Sequence, residues 1–139
     1  MIKELVSDTE LLSTPCEAAT AADEAIAQDL VDTLANTEDA ACLAANQIGV
    51  PKAIVAYLDG KDQPHVLYNP KLVVGFGAVK ASEQCLTLDG TSQVTRYNKI
   101  KIAYDELKDG ELVRTQRDLK GWTAQIVQHM IDHCAGKLV

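Results

Sequence analysis

The sequence between residues 121 and 136 limits what this chain can fold into more than any other stretch. If it forms a helix, His129 and His133 lie four residues apart on one face, where two imidazole nitrogens can bind one metal ion. Gly136 would end this helix, because glycine readily adopts the left-handed conformation of a helix C-terminus. A His-x-x-x-His pair lacks a third ligand, so on its own this stretch predicts a metal site and an ordinary pair of histidines equally. A metal site requires a third ligand from elsewhere in the chain.

The length and charge of the chain define its broad class. Its 139 residues suffice for a core, and we expect a single domain over residues 1–139. The net charge of −7 argues against a domain that binds nucleic acid through its whole surface. No apolar run reaches membrane-spanning length and the first residues lack a signal-peptide core, so we expect a cytoplasmic protein outside the membrane. In that reducing compartment the four cysteines pack, react or bind metal more often than they form disulfides.

Local patterns predict an α+β fold with antiparallel strands. We expect an extended or irregular segment over residues 1–19. Thr20 is then a candidate N-cap, and Leu30 and Leu34 belong to a helical repeat that predicts an amphipathic helix as far as Asn36. The predicted strands cover residues 52–58, 65–69 (ending at Pro70), 72–79, 99–105 and 111–116, with turns at 59–60, 89–90 and 109–110. Because tight turns and not helices join these strands, we predict an antiparallel sheet packed around the C-terminal helix.

Three segments carry a resemblance to a known family. They are A-C-L-A-A-N-Q-I-G at 41–49, E-Q-C-L-T at 83–87 and Q-H-M-I-D-H-C-A-G at 128–136. In this order and at this separation they resemble the three signature motifs of peptide deformylases. The resemblance extends to Asn69-Pro70 and to Arg96, so it covers essentially the whole chain. It implies a cytosolic metal hydrolase that removes the formyl group from N-formylmethionine at the N-terminus of new polypeptides.

The resemblance also implies a role for individual residues. Cys85, His129 and His133 would bind one metal ion, with a water molecule completing a tetrahedral site. A thiolate and two imidazoles suit Fe²⁺ or Zn²⁺. Gln47 and the backbone N–H of Leu86 would stabilise the oxyanion of the tetrahedral intermediate.

Residues just before the predicted ligands are candidates for a substrate pocket. Trp122, Gln125 and Ile126 fall on the face of the helix that carries the histidines. Without the resemblance, Trp122 and Ile126 are core residues just as readily. With it, these three residues line the slot for the methionine side chain, while Ala41 and Cys42 lie along the strip that binds the peptide backbone.

The main departure from the family is at position 130. There the family has a glutamate that serves as general base and acid, and this chain has Met130. A thioether cannot accept a proton, and positioned proton transfer contributes roughly 10²–10⁴-fold, so we predict severely reduced activity. Asp132 is expected to pair with Arg96, and proton transfer through Glu83 and a bridging water is the alternative. Further departures are Ala40 and Cys42 at two glycine positions of the first motif, and Gln84 and Thr87 at a glycine and a serine of the second.

These observations leave functions of different classes open. The first is a peptide deformylase acting on formyl-methionyl peptides. The second is a non-catalytic relative that keeps the metal and binds formylated or methionyl N-termini. A structural zinc protein, with Cys42 as fourth ligand, is a third reading, against which Gln47 argues because a closed site needs no oxyanion donor. We also hypothesise that Cys42 approaches the metal or oxidises with Cys85.

Overall fold

The structure is a computed structural model that describes residues 1–38, 40–84 and 90–137. In chain order, its helices and strands are α1 (Thr9–Leu12), α2 (Glu24–Ala35), β1 (Cys42–Ala44), β2 (Ile54–Leu58), β3 (Pro64–Gln84), β4 (Thr91–Lys108), β5 (Glu111–Lys120) and α3 (Gly121–Cys134). Single turns of 3₁₀ helix precede α2 at Ala21–Asp23 and follow β1 at Ala45–Ile48. Among the described residues the strands form one antiparallel sheet in the order β1-β2-β3-β4-β5, which confirms the predicted α+β class.

Both long helices begin and end close to their predicted limits because their signals are local. Thr20 and Asp23 form a capping box in which the Thr20 N–H donates to Asp23 Oδ2 at 2.9 Å, and the helical path continues to Asn36. At the other end of the chain, Gly136 follows α3 with a φ of +79°, as its predicted role requires. The expectation of an extended or irregular segment over residues 1–19 was wrong at Thr9–Leu12, because Asp8 caps the short helix α1 there.

The central strands are longer than predicted. The expected break at Pro70 is absent, and β3 continues through it to Gln84. The pairing of β3 with β4 shifts between Tyr68 and Lys71, and Asn69 has a φ of +52°. This irregularity accommodates a proline, which has no N–H to donate to the ladder. The predicted turn at 89–90 lies partly outside the described residues, whereas Asp109 and Gly110 both have positive φ at the turn between β4 and β5.

The sheet is covered by a helix on each face. Along β2, Val55 and Tyr57 pack in the cluster that contains α3, while Ile54 and Ala56 pack in the cluster that contains Leu30 of α2. Alternate residues of a strand point to opposite faces, so this strand is buried on both. In the part of the chain that the structure describes, no helix is long and apolar enough to cross a membrane. The fold thus places the histidine-bearing helix α3 against the sheet, beside the end of β3.

Candidate metal centre

Helix α3 brings the two histidines together inside the protein. His133 is fully buried and His129 is 6% exposed. Their Nε2 atoms lie 3.1 Å apart. Two nitrogens bound tetrahedrally to one ion at the usual 2.0–2.1 Å would lie about 3.3 Å from each other. The spacing of the pair therefore fits two ligands of a single metal ion.

A buried carboxylate orients His129. Glu83, at the end of β3, places Oε1 2.7 Å from Nδ1 of His129. A carboxylate accepts hydrogen bonds, so this contact holds the proton on Nδ1 and leaves a lone pair on Nε2, the atom that faces His133. Metal-binding histidines commonly have such a carboxylate behind them. The contact was not predicted from the sequence, where Glu83 entered only as the alternative route for proton transfer through a bridging water.

Glu83 is in turn held by two further side chains. Arg96 on β4 donates through Nε and Nη2 to its two oxygens at 2.7–3.1 Å, and Gln125 donates to Oε2 at 2.9 Å. Burial by itself raises the pKa of Glu83, but hydrogen bonds from His129, Arg96 and Gln125 outweigh it and lower that pKa to about 2. Glu83 is therefore a charged acceptor at neutral pH.

Arg96 joins the sheet to the helix. Its Nη1 donates to Asp132 on α3 at 2.6 Å, which confirms the predicted pair. Burial lowers the pKa of Arg96, yet the hydrogen bonds to Glu83 and Asp132 raise it overall, so the guanidinium stays charged. On the other side of α3, the Asn46 amide donates to the backbone oxygen of His133 at 2.9 Å. Both histidines are thus fixed by contacts from other elements.

The third predicted ligand, Cys85, lies outside the described residues, as does Leu86. Within residues 1–38, 40–84 and 90–137, no three His, Cys, Asp or Glu side chains are arranged to hold a metal ion. The hypothesis that Cys42 approaches the metal or oxidises with Cys85 therefore stays a prediction.

A cavity of about 450 Å³ opens beside His129. The predicted oxyanion donor Gln47 lines this cavity together with all the residues predicted to bind substrate: Ala41, Cys42, Trp122, Gln125 and Ile126. Trp122 is 64% exposed, so it lies at the surface and not in the core. Gln125 was predicted to contact substrate. Its side-chain amide donates a hydrogen bond to Glu83, so it also helps to hold the carboxylate that contacts His129.

Two further residues define the chemistry of the cavity. Gln47 is 1% exposed, and its Oε1 accepts the backbone N–H of Ala44 at 2.9 Å. This bond identifies the remaining end of the side chain as the amide donor. Met130 lines the cavity next to His129 and is 3% exposed. A thioether therefore forms part of the cavity wall beside His129.

Comparison with known proteins gives a consistent result. The family model for polypeptide deformylase matches residues 2–139. The chain is 36% identical over 140 residues to a peptide deformylase of Clostridium beijerinckii, covering 100% of both chains. It is 35% identical over 147 residues to a peptide deformylase of Aquifex aeolicus, covering 98% of this chain and 84% of the relative. The crystal structure of peptide deformylase from Thermus thermophilus superposes with a TM-score of 0.84 and 26% identity, over 99% of this chain and 83% of that one.

Proposed function

The chain belongs to the peptide deformylase family, and we propose that it is a metal-dependent hydrolase of formyl-methionyl peptides whose turnover Met130 severely reduces. The observation that carries this proposal is the place of Met130, buried on the wall of the cavity beside His129. Positioned proton transfer contributes roughly 10²–10⁴-fold to such reactions, and a thioether supplies none of it.

Glu83 does not replace the missing base. It is the only carboxylate among the described residues that line the cavity. Its two oxygens already accept hydrogen bonds from Arg96, His129 and Gln125, and its pKa is about 2. A general base works best with a pKa near the operating pH, so Glu83 takes up a proton poorly at pH 7.

The remaining residues of the centre suit amide hydrolysis. Cys85, His129 and His133 would hold one Fe²⁺ or Zn²⁺ ion, which when bound lowers the pKa of a water molecule and polarises the formyl carbonyl. Gln47, together with the backbone N–H of Leu86, would donate to the oxyanion that develops at the formyl oxygen, and each such donor is typically worth about 3 kcal/mol.

The cavity would take the methionine side chain of a new polypeptide in the cytosol. Trp122 and Ile126 supply its apolar surface, and Ala41 and Cys42 lie where the peptide backbone would pass. The same surface supports a second candidate function, in which the protein binds formylated or methionyl N-termini without cleaving them, since binding does not require a base. A closed structural zinc site is less well supported, because a cavity of this size beside His129 is typical of ligand binding.

The test is formyl-peptide hydrolysis by the metal-loaded protein, compared with Met130→Glu and with Met130→Leu as the matched control. We expect the parent and Met130→Leu to hydrolyse near background and Met130→Glu to gain about 10²-fold or more in kcat/KM. Turnover by the parent at ordinary rates of roughly 1–10³ s⁻¹ would contradict the proposal, because another group would then be moving the proton.

Binding separates the two candidate functions. Trp122 is the chain's one tryptophan and lies at the cavity, so its fluorescence reports peptide binding directly. If formylated peptides change this fluorescence while Met130→Glu still fails to hydrolyse them, the binding function is favoured over the hydrolase.

A further inference from the structure

Two cysteines outside the candidate metal centre meet at the C-terminal end of α3. Cys16 belongs to the N-terminal segment, and Cys134 is the last residue of the helix. Both carry free thiols and both are partly buried. Neither lines the cavity among the residues that the structure describes, so the proposed hydrolysis uses neither.

The backbones of the two cysteines are close enough for a covalent bridge. The N–H of Cys16 donates to the backbone oxygen of Cys134 at 2.8 Å. With standard bond lengths, this contact keeps the two Cα atoms within about 6.7 Å of each other. Bridged cysteines have Cα atoms roughly 4.4–6.8 Å apart, so the separation of these two backbones is compatible with a disulfide.

A glycine maintains this close approach. A Cβ atom on Gly136 would lie 2.6 Å from the oxygen of Ser13 and 2.8 Å from the nitrogen of Pro15. Only a residue without a side chain lets the N-terminal segment lie this near the end of α3. The contact between Cys16 and Cys134 is therefore part of a packed junction and not a chance approach of two exposed thiols.

The thiols themselves are in hydrogen-bonding contact. A hydrogen bond between the two thiols lowers the pKa of Cys16. The same bond, together with burial, raises the pKa of Cys134. This contact places the sulfur of Cys134 next to that of Cys16.

We propose that Cys16 and Cys134 are a reversible dithiol–disulfide site that links the N-terminal segment covalently to the end of the histidine-bearing helix. The oxidant is a small disulfide such as oxidised glutathione. The Cys16 thiolate attacks one sulfur of the oxidant, forming a mixed disulfide and releasing one glutathione thiolate, which takes up a proton. Cys134 then loses its proton and attacks the Cys16 sulfur, and the second glutathione leaves. Two protein thiols are oxidised to one disulfide, and the oxidant is reduced to two thiols.

The consequence for the protein is a covalent constraint next to a predicted metal ligand. Cys134 directly follows His133, whose backbone oxygen is already held by Asn46. A bridge from Cys134 to Cys16 fixes this end of α3 from a second side. It closes a loop of about 120 residues, and a cross-link of this length restricts the unfolded chain strongly.

The experiment is disulfide mapping of the Zn²⁺-loaded protein, in which the metal protects Cys85. The reduced protein is equilibrated with oxidised and reduced glutathione, remaining thiols are alkylated, and peptides are identified by mass spectrometry. We expect one cross-linked peptide pair that contains Cys16 and Cys134 and disappears on reduction. Cys42→Ser should retain it. Cys16→Ser and Cys134→Ser should lose it and accumulate glutathione on the remaining partner.

Thermal unfolding gives a second measurement, which compares the oxidised and reduced forms of the parent protein and so does not depend on whether a variant folds. The oxidised parent should melt about 5–15 °C above the reduced parent, and Cys16→Ser should show no such difference. The proposal is overturned if complete oxidation produces no bridge between Cys16 and Cys134, if either pairs with Cys42 or Cys85 instead, or if the bridge lowers the melting temperature. None of these outcomes depends on whether the protein hydrolyses formyl peptides.

Discussion

Replacing Glu83 with glutamine tests whether the carboxylate behind His129 has the charge and the role that its contacts indicate. Its side chain is 6% exposed, and its pKa in the folded protein is about 2, against an ordinary value of 4.5. Because the folded pKa lies below the unfolded one, the carboxylate stabilises the protein fully above about pH 4.5 and loses that contribution as the pH falls towards 2. By this linkage, about 2 kcal/mol of the free energy of unfolding is lost by pH 3.

The assay is urea unfolding of the metal-free parent and of Glu83→Gln at pH 7 and at pH 3. The parent should lose about 2 kcal/mol more than the variant on acidification, since glutamine has no carboxylate to protonate. An equal loss in both proteins would refute the reasoning, because Glu83 would then titrate at the same pH in the folded and unfolded chains.

The same variant tests the role of Glu83 in metal binding. Removing the charged partner of a metal-binding histidine typically weakens metal affinity roughly 10–100-fold. Asp59→Asn is the matched control, because the pKa of Asp59 is also about 2 but its hydrogen-bond partner is His65, outside the metal centre. Competition with a chromophoric chelator should show the loss for Glu83→Gln alone. If both variants bind metal as the parent does, Glu83 does not orient His129 for a metal.

Three further substitutions test the fold and the cavity. Gly136→Ala should lower the free energy of unfolding by about 2–4 kcal/mol in urea, since it adds a side chain at positive φ against backbone, while Gly60→Ala, which meets nothing within 4 Å, should change it little. In the Met130→Glu protein, Gln47→Ala should reduce kcat about 10²-fold in the hydrolysis assay by removing an oxyanion donor. Trp122→Ala should leave the urea midpoint nearly unchanged, because the side chain is 64% exposed, but should raise KM for formyl-methionyl peptides about 10-fold.

The sequence predicted the helices better than the sheet. The limits of α2 and α3 depend on caps and apolar spacing within a few residues, and Thr20 and Gly136 both act as expected. The continuity of β3 depends on its partner, because only the pairing with β4 shows that the strand passes through Pro70 at a register shift. From the sequence alone a proline predicts the end of a strand, and no neighbouring residue indicates that the strand continues.

The same distinction applies to the candidate site. The spacing of His129 and His133 already predicts that they share a face, and the resemblance to deformylases supplied Arg96 as the partner of Asp132. The contact from Glu83 to His129 joins residues 46 positions apart and depends on where the long strand β3 ends. Distant contacts of this kind are set by the packing of the sheet against α3, which no local pattern specifies.

Metal binding and proton transfer depend on different residues of the proposed centre. The network of Glu83, Arg96 and Asp132 carries two negative charges and one positive charge, and it acts on the Nδ1 side of His129. Its net negative charge favours a cation beside the histidines. Under the proposed function, the chain would retain a metal site although Met130 supplies no group that moves a proton. For this reason metal content would not measure hydrolytic competence here, whereas turnover by the parent and by Met130→Glu, together with peptide binding, distinguishes an enzyme from a binding protein.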